Sequence, residues 1–338
     1  MEAENHGRRI LVTGVADFAG AQLVRELEED PAIEFVAGLD FREPRRAFER
    51  AEIITADLRS SGLKRLLEGV KPDTILHLQR LRSDQEVEGI EQMQEINLMG
   101  TINLAATVQT ISAVRKFVLM SALHVYDANA MDPAVLTEET KPRPAKTNYA
   151  GDLAEMESAA NRLARGRSLS LTCLRFADII GPKVNNAISR YLRMPVVPTI
   201  LGFDPRLQFC HEADAVDILK RAALEDLEGL YNVAGDGVIN LSRALRLGGR
   251  IQLPIAGAML RPVIAAMDWM GLADIQPYHA LMLRYGRVVD TTLLKKKFGY
   301  QPRYSTIEAV LDLYEKSRLQ RPSWTDKEDI DGKPAAAA

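Results

Sequence analysis

Cysteine is nearly missing from this chain: Cys173 and Cys210 are the only two among 338 residues, and they stand far apart. That excludes a disulfide framework. The five histidines are scattered and give no zinc-ligand spacing, so no metal is expected and a reducing, cytoplasmic setting is. An excess of charge of one sign is missing too. With 43 basic and 46 acidic residues the formal net charge is −3, so nothing electrostatic favours nucleic acid or an anionic membrane as partner. The longest apolar region, IQLPIAGAMLRPVIAAMDWMGL (251–272), is interrupted by Arg261 and Asp268. It is too broken to span a bilayer and is expected as a helix packed within a smaller domain. The N-terminal MEAENHGRR lacks the apolar core of a signal peptide. Residues 1–7 and the polar stretch 321–338 are expected to be disordered.

The chain does contain a regular alternation. RRILVTG (8–14), EFVAGLD (34–40), EIITADL (52–58), TILHL (74–78) and RKFVLMSA (115–122) each read as a buried strand bounded by turn residues. Helical patterns lie between them at 19–30, 61–69 and 91–109. A further helix starts near Tyr149 and leads into the strand SLTCLRFADI (170–179). Strands alternating with helices imply crossover units and a parallel sheet. After GPKV (181–184) the alternation loosens into proline-bearing segments, a helix at 211–226 and one more strand, LYNVAG (230–235). The expectation is an α/β fold with a doubly wound parallel sheet and a smaller, discontinuous C-terminal substrate domain. The boundaries are 8–182 for the nucleotide-binding part, with segments near 208–237 returning to it, and mainly 183–320 for the smaller part.

LVTGVADFAG (11–20) is a strand, a glycine turn and a helix start at the first crossover, a geometry that aims backbone N–H groups at a pyrophosphate. Asp40 ends the next strand at the distance suited to a ribose 2′-hydroxyl. A bland reading, with the glycines closing a turn and Asp40 capping a loop, also fits.

In order and spacing, the motifs TG…G (13–20), ADL (56–58), HL (77–78), INLMGTINL (96–104), SALHVYD (121–127), Tyr149, LRFADIIGP (174–182), QFCHEADAVDIL (208–219), YNVAGDG (231–237) and FGYQP (298–302) run together. In this the chain resembles the extended short-chain dehydrogenase/reductase superfamily, specifically its NAD-dependent epimerase/dehydratase family, from about residue 8 to about residue 320. The resemblance implies a Rossmann-type sheet and NAD as cofactor, with NADP possible because Arg42, Arg45 and Arg46 follow Asp40. It implies a pyrophosphate site on Gly14, Asp17, Phe18, Ala19 and Gly20, and a ribose contact at Asp40. Asp57 with Leu58 would read adenine, Leu78 and Gln79 would line the cofactor path, and Asn97 would support the site from within. It also implies a small-molecule substrate, and a possible homodimer through the helices 91–109 and 149–166.

The departures from the pattern are as informative. Asp17 stands where the family has a third glycine; a carboxylate about 4 Å from a phosphate costs on the order of 4 kcal/mol at an effective dielectric near 20. Arg80 could offset it, yet Gln79 and Arg80 replace small residues and would crowd the nicotinamide half. The family's hydride chemistry uses a Ser or Thr, a Tyr, and a Lys four residues later. Here the tyrosine is Tyr149, the hydroxyl position is Ala122 with Ser121 displaced by one, and the lysine position is Leu153. Without that cation a tyrosine loses roughly 4 kcal/mol of bias toward phenolate, the equivalent of about three pKa units. Lys146 is the nearest substitute in sequence.

His124 either forms an altered acid/base pair with Tyr149 or is a hydrogen-bonded histidine beside the sheet edge. His77 is expected to be structural and His211 to pack the second domain. On the substrate side Asp178 replaces the asparagine, and Leu207 the arginine, of members that bind nucleoside diphosphate sugars, which disfavours a diphosphate. Arg287 is a candidate second phosphate contact. Two functions stay open at this point. One is NAD(P)-dependent hydride chemistry on a sugar-like or other carbinol, with Tyr149, Ser121 and His124 as catalytic candidates. The other is a catalytically lapsed relative that senses a dinucleotide or serves as a scaffold.

Overall fold

The computed structural model describes residues 8–45, 47–82, 87–142, 148–167, 169–271 and 275–315. Both chain ends expected to be disordered, together with Arg46 and Lys146, lie outside the described residues. Its first half contains β1 (Arg8–Thr13), α1 (Phe18–Glu28), β2 (Ile33–Asp40), β3 (Glu52–Thr55), α2 (Leu63–Val70) and β4 (Thr74–His77). A continuous helical stretch follows, made of α3 (Ile90–Gln94), a π-helical turn (Glu95–Met99) and α4 (Gly100–Val108). Then come β5 (Lys116–Ala122), a 3₁₀ turn (Leu123–Tyr126), α5 (Asn148–Gly166) and β6 (Ser170–Phe176). The second half runs through β7 (Asp178–Ile180), α6 (Ala187–Arg193), β8 (Val196–Ile200), β9 (Arg206–Leu207), β10 (Phe209–His211), α7 (Glu212–Leu224) and β11 (Gly229–Val233). It ends with β12 (Ile239–Asn240), α8 (Leu241–Leu247), β13 (Ile251–Ile255), α9 (Leu260–Trp269), α10 (Pro277–Tyr285), α11 (Thr292–Lys296) and α12 (Thr306–Glu315).

Seven parallel strands form the central sheet in the order β3-β2-β1-β4-β5-β6-β11. The order reverses between β1 and β4, as in Rossmann-type doubly wound folds, and the crevice at that switch point is where such sheets take ligands. Strand alternation divides the apolar residues between two layers. Val12, Leu76, Val118 and Leu174 pack with Leu23 of α1 and Ile218 of α7. Leu11, Ile75, Phe117 and Cys173 pack with Leu67 of α2, Leu104 of α4 and Met156 of α5. A third apolar cluster joins β8, α6, α8, α10 and α12 beyond the sheet. Thr13 is level with Leu39 and with His77, while β5 continues from Leu119, level with His77, to Ala122. The glycine turn and the end of β5 therefore open onto the same crevice.

Three sequence expectations change. Residues 251–272 are not one helix but a strand, a 3₁₀ turn and α9. Pro254 excludes its neighbour Leu253 from the helical region, and β13 pairs in parallel with β8 instead. The region is packed only in part: Met267, Val263 and Ile264 of α9 join the third apolar cluster, whereas Ile251, Leu253, Met259, Trp269 and Met270 are exposed. The strand expected over 170–179 divides at Ala177, after which Asp178–Ile180 pairs with β10. The helix expected over 91–109 holds a π turn centred on Asn97, a local widening often found at functional sites. Among the described residues no helix is long and apolar enough to cross a membrane.

Candidate nucleotide and active site

Gly14 takes φ +80°, and a Cβ there would lie 2.6 Å from the Gln79 backbone nitrogen. A Cβ on Gly20 would overlap the Gly14 carbonyl. Both glycines are thus required by the closeness of β1, α1 and the loop after β4. Phe18, Ala19 and Gly20 form the first turn of α1, with Asp17 as N-cap; the Asp17 side chain caps nothing. Its carboxylate instead accepts from Arg42 Nη2 at 3.1 Å. Arg42, and not Arg80, is therefore its ion-pair partner. The Asp40 carboxylate is buried, accepting from Ala16 N–H and Arg42 N–H at 3.0 Å each. Burial raises its pKa, and those two N–H groups oppose the rise.

After β3, Asp57 accepts from its neighbour Arg59, with Nη2 at 2.6 Å, and Arg59 holds its carboxyl below the usual range. The Leu58 side chain is fully buried in the layer under α4. Asn97 exchanges two hydrogen bonds with Leu81, accepting from its N–H at 2.8 Å and donating to its carbonyl at 2.9 Å. It fixes the loop after β4 from beneath. His77 is clamped between the Thr13 and Thr101 hydroxyls at 2.7 and 2.8 Å, and burial pushes its pKa down to about 4. His211 caps α7 and pairs with Asp312 at 2.8 Å.

The loop after β4 lines the groove with Leu78, Arg80 and Arg82. Leu78, Gln79 and Arg80 are buried, and both polar atoms of the Gln79 amide, with Nε and Nη1 of Arg80, have no hydrogen-bond partner among the described residues. Between the glycine turn and this loop lies a cavity bounded by Arg80, Arg82, Met120, Ile179 and Val184. Its water-accessible interior is about 30 Å³, room for about two water molecules.

Tyr149 lies at the start of α5, 3% exposed, with no hydrogen-bond partner for its hydroxyl among the described residues. Tyr278 of α10 stacks on its ring at 4.3 Å, and His124 meets Tyr278 edge-on at 4.7 Å. Tyr278 in turn donates to the Arg82 carbonyl at 2.8 Å, closing the second half of the chain over the crevice. Burial raises the Tyr149 pKa; Arg80 and Arg82 oppose this, while Asp178 and Asp152 add to it. His124 Nε2 has no hydrogen-bond partner and lies 3.7 Å from Asp178 Oδ2. Burial, then Arg287, His279, Arg80 and Arg82, hold its pKa well below normal. At neutral pH the site therefore presents a protonated tyrosine and a neutral imidazole.

Ser121 does not join them. Its hydroxyl donates to Glu157 Oε1 at 2.5 Å, within a buried ion pair between Glu157 and Arg175 (Nη2 to Oε2, 2.6 Å). As the neighbour of Ala122 on a strand it projects to the α5 side of the sheet. Ala122 and Leu153 are both buried apolar contacts of the Tyr149 cluster. His124, Asp178 and His279 bring their ligating atoms within 4.8 Å of one another. However, Arg80, Arg82 and Arg287 all lie near enough to lower the His124 pKa, a field hostile to a dication. Arg82, Tyr278 and His279 went unmarked in the sequence reading. Only α10 itself was signalled, by the Gln276 cap with Pro277 at the first turn.

The comparisons with known proteins agree with this frame. The family model "NAD dependent epimerase/dehydratase family" matches residues 10–234, and the chain belongs to that family. An uncharacterised protein of Mycobacterium tuberculosis is 34% identical over 319 residues, covering 93% of this chain and 85% of the relative. A UDP-glucose 4-epimerase from Thermotoga maritima, solved with UDP-glucose, superposes with a TM-score of 0.71 at 20% identity, covering 91% and 98% of the two chains. A dTDP-glucose 4,6-dehydratase from Bacillus anthracis, in complex with NAD, gives 0.70 at 14%, covering 92% and 96%. At these identities the solved structures speak for the fold.

Proposed function

We propose that this chain is a nucleotide-binding member of its family in which the hydride-transfer machinery is no longer assembled, and that it acts by binding, as a sensor or scaffold. The outer half of the groove fits an adenine nucleotide. The glycine turn with the first turn of α1 would hold phosphate, Asp40 a ribose, and the Asp57–Leu58 segment adenine. The inner half does not fit a nicotinamide and its ribose, because Leu78, Arg80 and Arg82 with Met120, Ile179 and Val184 close it down to about 30 Å³. That filled crevice is the observation that carries the reading. Ala122, Leu153 and the sequestered Ser121 are consistent with it: the positions of the family's hydroxyl and lysine beside Tyr149 are filled by buried apolar side chains. A substrate of the nucleoside diphosphate sugar type is disfavoured by Asp178 and Leu207.

The test begins with a check for copurified nucleotide and a calorimetric titration with NAD+, NADH, NADP+ and NADPH. A panel of carbonyl compounds is then assayed for NADH consumption. Binding through the adenosine half, without turnover, is expected. Stoichiometric NADH oxidation by any carbonyl, lost in Tyr149→Phe, would overturn the reading. It would favour the second one, hydride chemistry on a carbinol with Tyr149 and His124 as a rearranged acid/base pair. The specific support for that alternative is that both the Tyr149 hydroxyl and His124 Nε2 are buried with no hydrogen-bond partner among the described residues, which native interiors rarely tolerate without a use.

A further inference from the structure

The filled half of the groove ends in an arrangement of its own. Arg80 is 6% exposed, lines the 30 Å³ cavity, and points Nε and Nη1 at no protein acceptor. Arg82 lines the same cavity, and so does the first turn of α1 with its positive dipole end. Among the described residues the carboxylate on the cavity wall is Asp17, paired with Arg42, while Asp178 beside the wall is shared by Arg80, Arg82 and Arg287. Two guanidinium groups and a helix start therefore face a space of about two waters, with Met120, Ile179 and Val184 as an apolar wall beyond. A buried guanidinium with unused donors is costly unless an anion meets it.

We propose that the ligand of this groove is an adenine nucleotide that ends in a phosphate, an adenosine 5′-diphosphate type, rather than a full dinucleotide, and that Arg80 selects it by binding the terminal phosphate. This rests on the nucleotide-binding reading above and names its ligand. Charge and size both support it. A terminal phosphate monoester carries between one and two negative charges near neutral pH, with a second pKa of about 6, whereas each phosphate of a dinucleotide's diester bridge carries one. Two arginines at one end of a phosphate chain match the former. A dinucleotide must continue past the pyrophosphate with two more rings, into space that Arg80 and the apolar wall occupy.

The experiment is calorimetric titration of the full chain with ADP, AMP, ADP-ribose and NAD+, for wild type, Arg80→Ala and Arg80→Lys. Wild type is expected to bind ADP at least tenfold more tightly than NAD+ or ADP-ribose, and AMP more weakly than ADP. Arg80→Ala removes the charge and opens the inner groove. It should weaken ADP by tenfold or more while leaving NAD+ unchanged or tighter, and Arg80→Lys should fall between. Wild-type NAD+ affinity equal to or above that of ADP would overturn the proposal and leave the nucleotide-binding reading standing. Equal weakening of ADP and NAD+ by Arg80→Ala would also overturn it, assigning Arg80 to an ordinary pyrophosphate contact. No binding of any adenine nucleotide, to wild type or variants, would overturn both.

Discussion

Asp152 offers a perturbation whose magnitude can be worked out. It lies three residues after Tyr149 on α5, is 7% exposed, and its Oδ2 has no hydrogen-bond partner. Burial raises its pKa from the usual 3.8 to about 6. A carboxyl whose folded pKa is raised binds more protons in the folded state, so it costs stability as pH climbs through the window from about 4 to about 6. The full cost above pH 6 is about two units, or about 3 kcal/mol at 1.36 kcal/mol per unit. Discounting for the solvent at the edge of the helix leaves about 1–3 kcal/mol. Asp152→Asn keeps the shape and removes the titration. Urea denaturation of both proteins at pH 4.5 and pH 7.5 measures it. The variant should gain about 1–2 kcal/mol more over wild type at pH 7.5 than at pH 4.5, because part of the cost already remains at the lower pH. The same change should lower the Tyr149 pKa, since Asp152 is one of the groups that raise it. An advantage of the same size at both pH values would show that Asp152 is solvated in the folded chain, and the reasoning would fail.

Other expectations follow from single contacts. Tyr149→Phe removes a buried hydroxyl that has no partner, so it should be neutral or stabilise the fold by up to about 1 kcal/mol in thermal or urea melts; a loss above that would reveal a missed hydrogen bond. Asp17→Gly should tighten ADP binding by about tenfold in calorimetry. That is far less than the bare 4 kcal/mol repulsion would give, because Arg42 already neutralises Asp17. Unchanged affinity would mean that Asp17 turns away from the phosphate. Glu157→Gln strips the carboxylate from buried Arg175 and should cost about 3–5 kcal/mol in urea melts. Ser121→Ala loses one bond to the same carboxylate, should cost about 1–2 kcal/mol, and should leave nucleotide affinity untouched. An altered affinity would return Ser121 to the site.

The fold was legible in the sequence because its signals are local. Each strand of the first half is a short apolar run, and each crossover has its own turn residues. The glycine turn was legible for the same reason, since Gly14 and Gly20 answer to contacts within the first crossover and with the strand beside it. Asp17, Gln79, Arg80, Ala122 and Leu153 stood out as departures from a pattern, so the region of altered chemistry could be read as well. What stayed hidden was pairing. Arg42 and Asp17 are both visible in the sequence, but only the folded turn brings guanidinium to carboxylate. Tyr278 lies about 130 residues from Tyr149, and no periodicity in α10 tells where that helix docks. In the apolar stretch 251–272 composition favours one helix, and Pro254 carries the contrary signal.

The departures around Tyr149 make physical sense as one coordinated change. A lysine at position 153 would sit one turn along α5 from Tyr149, in a site where Leu153 is 1% exposed and packed with Ala122 and Phe176. Arg80 and Arg82 already act on that tyrosine. A third cation in the same low-dielectric space would suffer both desolvation and repulsion. Arg80 and a lysine at 153 are therefore competing solutions, and this chain holds the first. The competition is measurable as a double-mutant cycle. Leu153→Lys alone should destabilise the fold by more than about 3 kcal/mol. In an Arg80→Ala background the same substitution should cost at least about 1 kcal/mol less, because one repulsive neighbour is gone. Urea denaturation of the four proteins at pH 7.5 gives the coupling. Additive costs would mean that Arg80 and position 153 do not feel each other, and that the lysine was lost for reasons unrelated to the arginine in the groove.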